Sequence, residues 1–307
     1  MDAIKIVFAD FAVLSLLLLI GLALRKKIKA IQNLYIPASL LAGTVGLLLG
    51  PQVLGMISPY ALPIGKTIGQ WPGILVNVVL GLAFFGTVSS NNFGKIALSA
   101  VNQGGLVHQT QVLVGLGVTM LLMPFFPELP LAFGLTPVYG FHGGHGTANA
   151  AGVALVNAGW ADGLAVANTM ATAGLLSGII IGMIIINIGV RRGWAQNVSK
   201  PQDVPSDVKE GIVPLDKRTP IGKGVTYNDA LDPLALQLAF VGLIIGMATI
   251  MWNGLSSIHP LMKNVPLFAC AMVCGALLSY VLNKMDMSHY IDRPTISRIG
   301  GVALEYL

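Results

Sequence analysis

Tyr139-Gly140-Phe141-His142-Gly143-Gly144-His145-Gly146-Thr147 breaks, with four glycines in nine residues, a chain that is otherwise almost continuously apolar. A helix interrupted that heavily inside hydrocarbon is tolerated only where its backbone is buried in protein or lines a wet cavity. Lipid offers nothing to the freed N–H and C=O groups. Secondary transporters place substrates and ions at such breaks.

The surroundings of this stretch establish the class. The 307 residues are 54% hydrophobic and 10% charged, with a mean hydropathy of +0.76. A soluble domain carries about 25% charged residues, so the chain reads as an all-α polytopic membrane protein with spans of ~20 predominantly apolar residues. The 37 glycines suit close helix packing and broken helices better than turns in a sheet. The net charge of +5 reads as membrane topology and not as nucleic-acid binding, because most cations sit at span ends. The first apolar run follows Asp2 and Lys5, whose charges cancel, and no small-residue cleavage site follows it; it is a retained helix and not a signal peptide. Cys270 and Cys274 sit four apart on an apolar segment and read as small packing residues, without disulfide or zinc spacing.

Apolar runs predict helices over Ile6 to Leu24, Ile36 to Leu49, Gly73 to Ser89 and Ile96 to Phe126. Two half-length segments, Leu131 to Val138 and Ala148 to Val156, flank the glycine stretch, and a long helix follows over Leu164 to Val190. Asn197 to Asp232, with four prolines among mixed charges, reads as a solvated linker. Runs at Leu234 to Trp252 and Val265 to Leu282 come next, then the start of another from Ile299. The positive-inside rule puts Arg25, Lys26, Lys27 and Lys29 on the cytoplasmic side, together with Arg191 and Arg192. Both clusters share a side if residues 131–158 form a re-entrant hairpin, or cross twice. The hairpin gives an outside N-terminus and a cytoplasmic linker over 194–232.

The run from Ile36 resembles the run from Val265: Pro37 falls on Pro266, Ala42 on Ala271, Gly46 on Gly275, Leu48 on Leu277 and Leu49 on Leu278. One copy starts outside and the other from the cytoplasmic linker, which is the pattern of an inverted repeat. The expectation is a first repeat over 1–193 and a second, incomplete one over 233–307, the chain being truncated within it.

Glycines at 143, 144 and 146 open backbone conformations closed to other residues and admit a ligand closely. A half-helix beginning near Thr147 would offer free N–H groups and a positive dipole end to an anion, with Thr147 and Asn149 adding a hydroxyl and an amide. Unwound carbonyls would suit a sodium ion. The alternative is that the glycines only let the hairpin tips pack. The substrate-binding candidates are therefore Gly143, Gly144, His145, Gly146, Thr147 and Asn149. His142 and His145 fit a structural histidine across the hairpin, substrate or proton handling, or a metal; neither Cys nor carboxylate lies nearby in sequence to complete a zinc site. Asn168, Thr169 and Thr172 lie on one side of the long helix, expected to face the hairpin, with Gly174, Gly178 and Gly182 on another as a packing stripe. Together with Thr87 those three are the ion candidates. Asn77, Ser89, Ser90 and Asn91 are weaker ones, and Asn102, Gln103, His108, Gln109 and Gln111 stay unassigned. Asp10 and Glu305 are the acidic residues within the apolar runs, and no Arg falls in a complete one; Arg298 precedes the last.

Gly143-Gly144-His145-Gly146-Thr147, followed by Ala171-Thr172-Ala173-Gly174-Leu175, resembles the bacterial sodium/glutamate symporter family. Leu82-Ala83-Phe84-Phe85-Gly86-Thr87 and Ile36-Pro37 look like its third-span segment and second-span start. The resemblance runs through nearly the whole chain and is specific in the hairpin. It implies sodium-driven uptake of L-glutamate at the bacterial cytoplasmic membrane, through two inverted five-helix repeats in a homodimer working by an elevator-like movement. It also implies an architecture that continues past residue 307. His142, Ser89-Ser90 and Asn168 depart from the family pattern; they flank the site and bear on the substrate more than on the fold.

Two other functions compete with a symporter of glutamate or a similar small carboxylate. A cation/proton antiporter would use His145 or Glu305, and is disfavoured because membrane-embedded carboxylates are scarce here. A membrane enzyme or metal-binding protein would rest on His142 and His145. Neither a G-x-x-x-x-G-K-[ST] phosphate loop nor a G-x-S-x-G elbow occurs.

Overall fold

The structure is a computed structural model that describes residues 2–65, 67–87, 93–194, 203–259, 262–263 and 265–307. All regular structure among them is helical: α1 (Asp2–Lys27), α2 (Lys29–Asn33), α3 (Ala38–Leu49), α4 (Trp71–Ala83), α5 (Phe93–Leu122), α6 (Gly143–Asn157), α7 (Gly163–Arg191), α8 (Ser206–Glu210), α9 (Pro233–Ile258), α10 (Leu267–Lys284) and α11 (Arg293–Glu305). Among the described residues six stretches are long and apolar enough to cross a membrane, namely α1, α3 with its continuation to Met56, α5, α7, α9 and α10, and the stretch through α4 is shorter. The protein is a multi-pass membrane protein.

The starts and stops have local causes. α3 and α10 each begin directly after a proline, Pro37 and Pro266, in the same extended conformation (φ −69° in both). Proline suits a helix start because it has no N–H to leave unpaired. Asp232 caps α9 by accepting from the Leu234 and Ala235 amides at 2.8 and 3.1 Å. The last helix starts at Arg293 and not near Ile299, because Asp292 caps it through the Thr295 amide at 3.1 Å and Pro294 occupies its first turn. Arg298 therefore lies inside that helix, and the chemistry at its start belongs to Asp292 and Arg293. α4 stops at Ala83, short of Ser89: Gly86 takes φ +71° and turns the chain.

The chain divides into two compact units, residues 1–87 with 189–307, and residues 88–188. In the first, α4 packs on α9, α10 and α11. Phe85, Ile244, Ala271 and Ile296 are fully buried there, and Cys270 and Cys274 are free thiols buried among them. A Cβ on Gly275 would land on the Gly81 carbonyl, and one on Gly81 would touch Ile244 and Ala271 at 3.2 and 3.3 Å. The helices meet backbone to backbone, as small residues permit. α1 packs on α3 in the same manner through Gly21 and Ala38. Asp10, also buried, accepts the Trp71 indole N–H at 3.4 Å, while Phe11 stacks between Trp71 and Tyr306.

The described part of the polar segment is not a free linker. α8 packs on α1 and α2. The Lys217 ammonium, 2.8 Å from the Asp207 carboxylate, holds that group below the usual carboxylate range. The Lys223 amide donates to Asp292 at 3.2 Å. A buried carboxylate at a helix start has room for several donors, and this one draws the linker in.

Candidate functional site

The second unit contains the glycine stretch. A 3₁₀ turn (Leu131–Leu135) packs on α5, where Gly115 and Gly134 touch backbone to backbone. A π turn (Val138–His142) follows and leads directly into α6. The glycines do not form an open loop between half-helices ending at Val138 and starting at Ala148. Beyond the cap residue Gly143, at φ −118° and ψ 0°, the residue of α6 that leaves helical geometry is Gly144, at φ 66° and ψ −159°, a region essentially closed to residues with a Cβ. The physical reason is hydrogen-bond economy. In apolar surroundings a coiled backbone satisfies its own polar groups, so the chain stays coiled on both sides and concentrates the break at Gly144.

Thr147 staples that break. Its hydroxyl lies 2.6 Å from the Tyr139 carbonyl and 3.2 Å from that of Gly144. A Cβ on Gly143 would strike the Thr147 side chain, so a glycine is required there as well. Gly140 is buried against α7: a Cβ would come within 2.6 Å of the Ala171 amide nitrogen. Ala148, Ala167 and Ala171 complete this contact, with Gly152 against Leu164 and Gly174 against Phe141.

The small face of α7 therefore meets the glycine stretch and α6, and the expected polar face does not. Thr169 and Thr172 are exposed, with hydroxyls donating to the Ala165 and Asn168 carbonyls at 2.9 and 3.2 Å. The Asn168 amide donates to Leu164 at 3.1 Å. Of the glycine stripe, Gly174 makes a contact, while Gly178 and Gly182 have open space where a Cβ would go. Packing area decides the orientation, since alanine and glycine let two helices approach more closely than threonine does.

Gly146 continues α6, Asn149 is exposed on its first turns, and the side chain of His145 lies outside the described residues, as do Ser89, Ser90 and Asn91. Thr87 belongs to the other unit, where its hydroxyl takes the Phe84 carbonyl at 2.8 Å. Asn77 is spent likewise on Gly73 and Ile74. His142 meets the ring of His108 from α5 edge to face, with centroids 5.5 Å apart. No group of three or more His, Cys, Asp or Glu able to hold a metal occurs among the described residues.

A model of the sodium/glutamate symporter family matches residues 4–307. The chain belongs to this family. Among curated proteins and solved structures none matches it.

Within this symporter the spent hydroxyls carry chemical information. A threonine hydroxyl has one proton to donate. Thr147 and Thr169 each give theirs to a carbonyl, which leaves oxygen lone pairs for a ligand. Lone pairs suit a cation and not a carboxylate. Among the described groups, backbone N–H groups after Gly144 and the amide of Asn149 can serve an anion as donors.

Sequence reasoning missed one constellation, in the other unit. Gln237, 1% exposed on α9, donates to the Tyr290 carbonyl at 2.9 Å and accepts the Asp292 amide at 3.2 Å. Beside it Arg293 donates to carbonyls at the end of α4. The signal was present in Asp292-Arg293-Pro294-Thr295, a helix start placed ahead of the apolar run.

Proposed function

We propose that this protein takes up L-glutamate or a similar small carboxylate together with sodium across the bacterial cytoplasmic membrane. The observation that carries the reading is the break at Gly144, stapled by Thr147, in a member of this family. The substrate carboxylate is held by N–H groups of residues following Gly144, with Gly143, His145, Gly146 and Asn149 around it. Sodium is held by oxygens, among which Thr147, Thr169, Thr172 and Asn168 of the 88–188 unit are the candidates. Two inverted repeats, an elevator-like movement and a homodimer complete the proposal. The repeat is supported by the paired positions of α3 and α10. Pro37 and Pro266 both cap, Ala42 and Ala271 are both buried, and Gly46 and Gly275 both sit where a Cβ would meet a neighbour.

Uptake of labelled glutamate into proteoliposomes, with sodium or choline outside, tests this. Uptake should require sodium and should be lost in Gly144→Val. In Thr147→Val the sodium requirement should rise more than the glutamate requirement, because the threonine oxygen serves the cation. Full-rate uptake without sodium overturns the coupling. Cation-driven proton release without any organic solute would establish the antiporter instead, and stoichiometric zinc lost in His142→Ala and His145→Ala would establish the metal protein.

A further inference from the structure

α4 ends inside the first unit, and a helix end leaves carbonyls without intrahelical partners. Here the Arg293 guanidinium meets them. One terminal nitrogen donates to the carbonyls of Leu82, at 2.8 Å, and Phe85; the other donates to Ala83 at 3.1 Å. Leu82 and Phe85 are buried and Ala83 is exposed, so the three oxygens lie at the edge of the packed core. No carboxylate pairs with Arg293 among the described residues. The neighbouring Asp292 is committed to Thr295 and Lys223. The positive charge is therefore balanced by the negative end of the α4 dipole and by three convergent carbonyls, which is the environment in which broken helices hold metal cations.

The turn after α4 is shaped for this contact. Gly86, at φ +71°, donates its N–H to Ser279 at 3.1 Å, and a Cβ there would lie 2.7 Å from Ile291 and 3.6 Å from the Arg293 stem. Only a glycine lets the start of α11 come close enough to deliver the guanidinium. Charges in membrane proteins persist where they pair with other groups, backbone carbonyls included, and the half-buried Arg293 does so here.

We propose that the end of α4 is a carbonyl-built site for a small monovalent cation, occupied by the tethered guanidinium of Arg293, which thereby fixes α11 on α4. Removing the side chain should convert an internal contact into a binding site for a free cation. A ligand that binds only the folded state stabilises it increasingly with concentration. The inference is independent of substrate and coupling ion.

Thermal denaturation of full-length Arg293→Ala in lipid nanodiscs tests it, with guanidinium chloride, equimolar sodium chloride and equimolar urea at millimolar concentrations. Urea is close to guanidinium in shape and carries no charge. The variant should melt below wild type, and guanidinium should restore it in a saturable way while urea does not. Wild type, its site already filled, should not respond. Equal responses to guanidinium and urea, or an equal guanidinium response in wild type, would overturn the proposal. Should Arg293→Ala not be recovered folded, extraction with each compound present throughout decides. Recovery in guanidinium but not in urea supports the site, and failure in both overturns it.

Discussion

Gly144 and Gly178 form a natural matched pair, since both sit in the 88–188 unit and neither would bring a new Cβ within 4 Å of another atom. They differ in backbone. Gly144 holds φ 66°, ψ −159°, whereas Gly178 lies in the interior of α7. Gly144→Ala forces a side chain into a conformation that costs on the order of 1–3 kcal/mol, with no steric term from neighbours. Gly178→Ala replaces the poorer helix former by the best one and gains about 1 kcal/mol. The two alanine variants should therefore differ by about 2–4 kcal/mol by this reckoning, the sum of the two effects. Melting of the purified proteins, followed by loss of monodispersity, should place Gly144→Ala below wild type and Gly178→Ala level with it or above. Glutamate uptake should fall in Gly144→Ala and persist in Gly178→Ala. Equal melting of the two variants would refute the reasoning, because it would mean that nothing holds residue 144 in the conformation that only glycine takes cheaply.

Other outcomes follow from the same geometry. Gly275→Ala should lose about 1–3 kcal/mol by overpacking against the Gly81 carbonyl, while Gly300→Ala, open in α11, should melt like wild type. Thr147→Val, which removes the hydroxyl bond to the exposed Tyr139 carbonyl, should cost about 0.5–1.5 kcal/mol, and Thr147→Ser should recover most of it in the same melting experiment. Asp292→Ala should cost roughly 0.5–2 kcal/mol for the lost cap. It should also speed proteolysis of the 203–232 segment, which the Lys223 contact now ties down; unchanged cleavage would show that α8 alone anchors it.

Much of this fold is legible as hydropathy because lipid imposes one rule on every span. Runs read as Leu164 to Val190 and Leu234 to Trp252 became α7 and α9 with few changes at the ends. Capping chemistry was readable but outweighed by hydropathy: Asp292-Arg293-Pro294 starts α11 ahead of the apolar residues. The orientation of α7 was not readable. Asn168, Thr169 and Thr172 look like a site-facing edge, yet hydroxyls and amides can turn back on their own helix, and the alanine and glycine face takes the neighbour.

Composition and glycine placement alone determined that this is a helical membrane protein with its break at residues 140–147, because both follow from the cost of free backbone groups in hydrocarbon. Tertiary structure decided that Gly144 leaves the helix, that Thr147 spends its proton on Tyr139, and that Arg293 meets the end of α4. Those outcomes depend on which donor reaches which carbonyl across the fold, and spacing along a chain does not encode that distance.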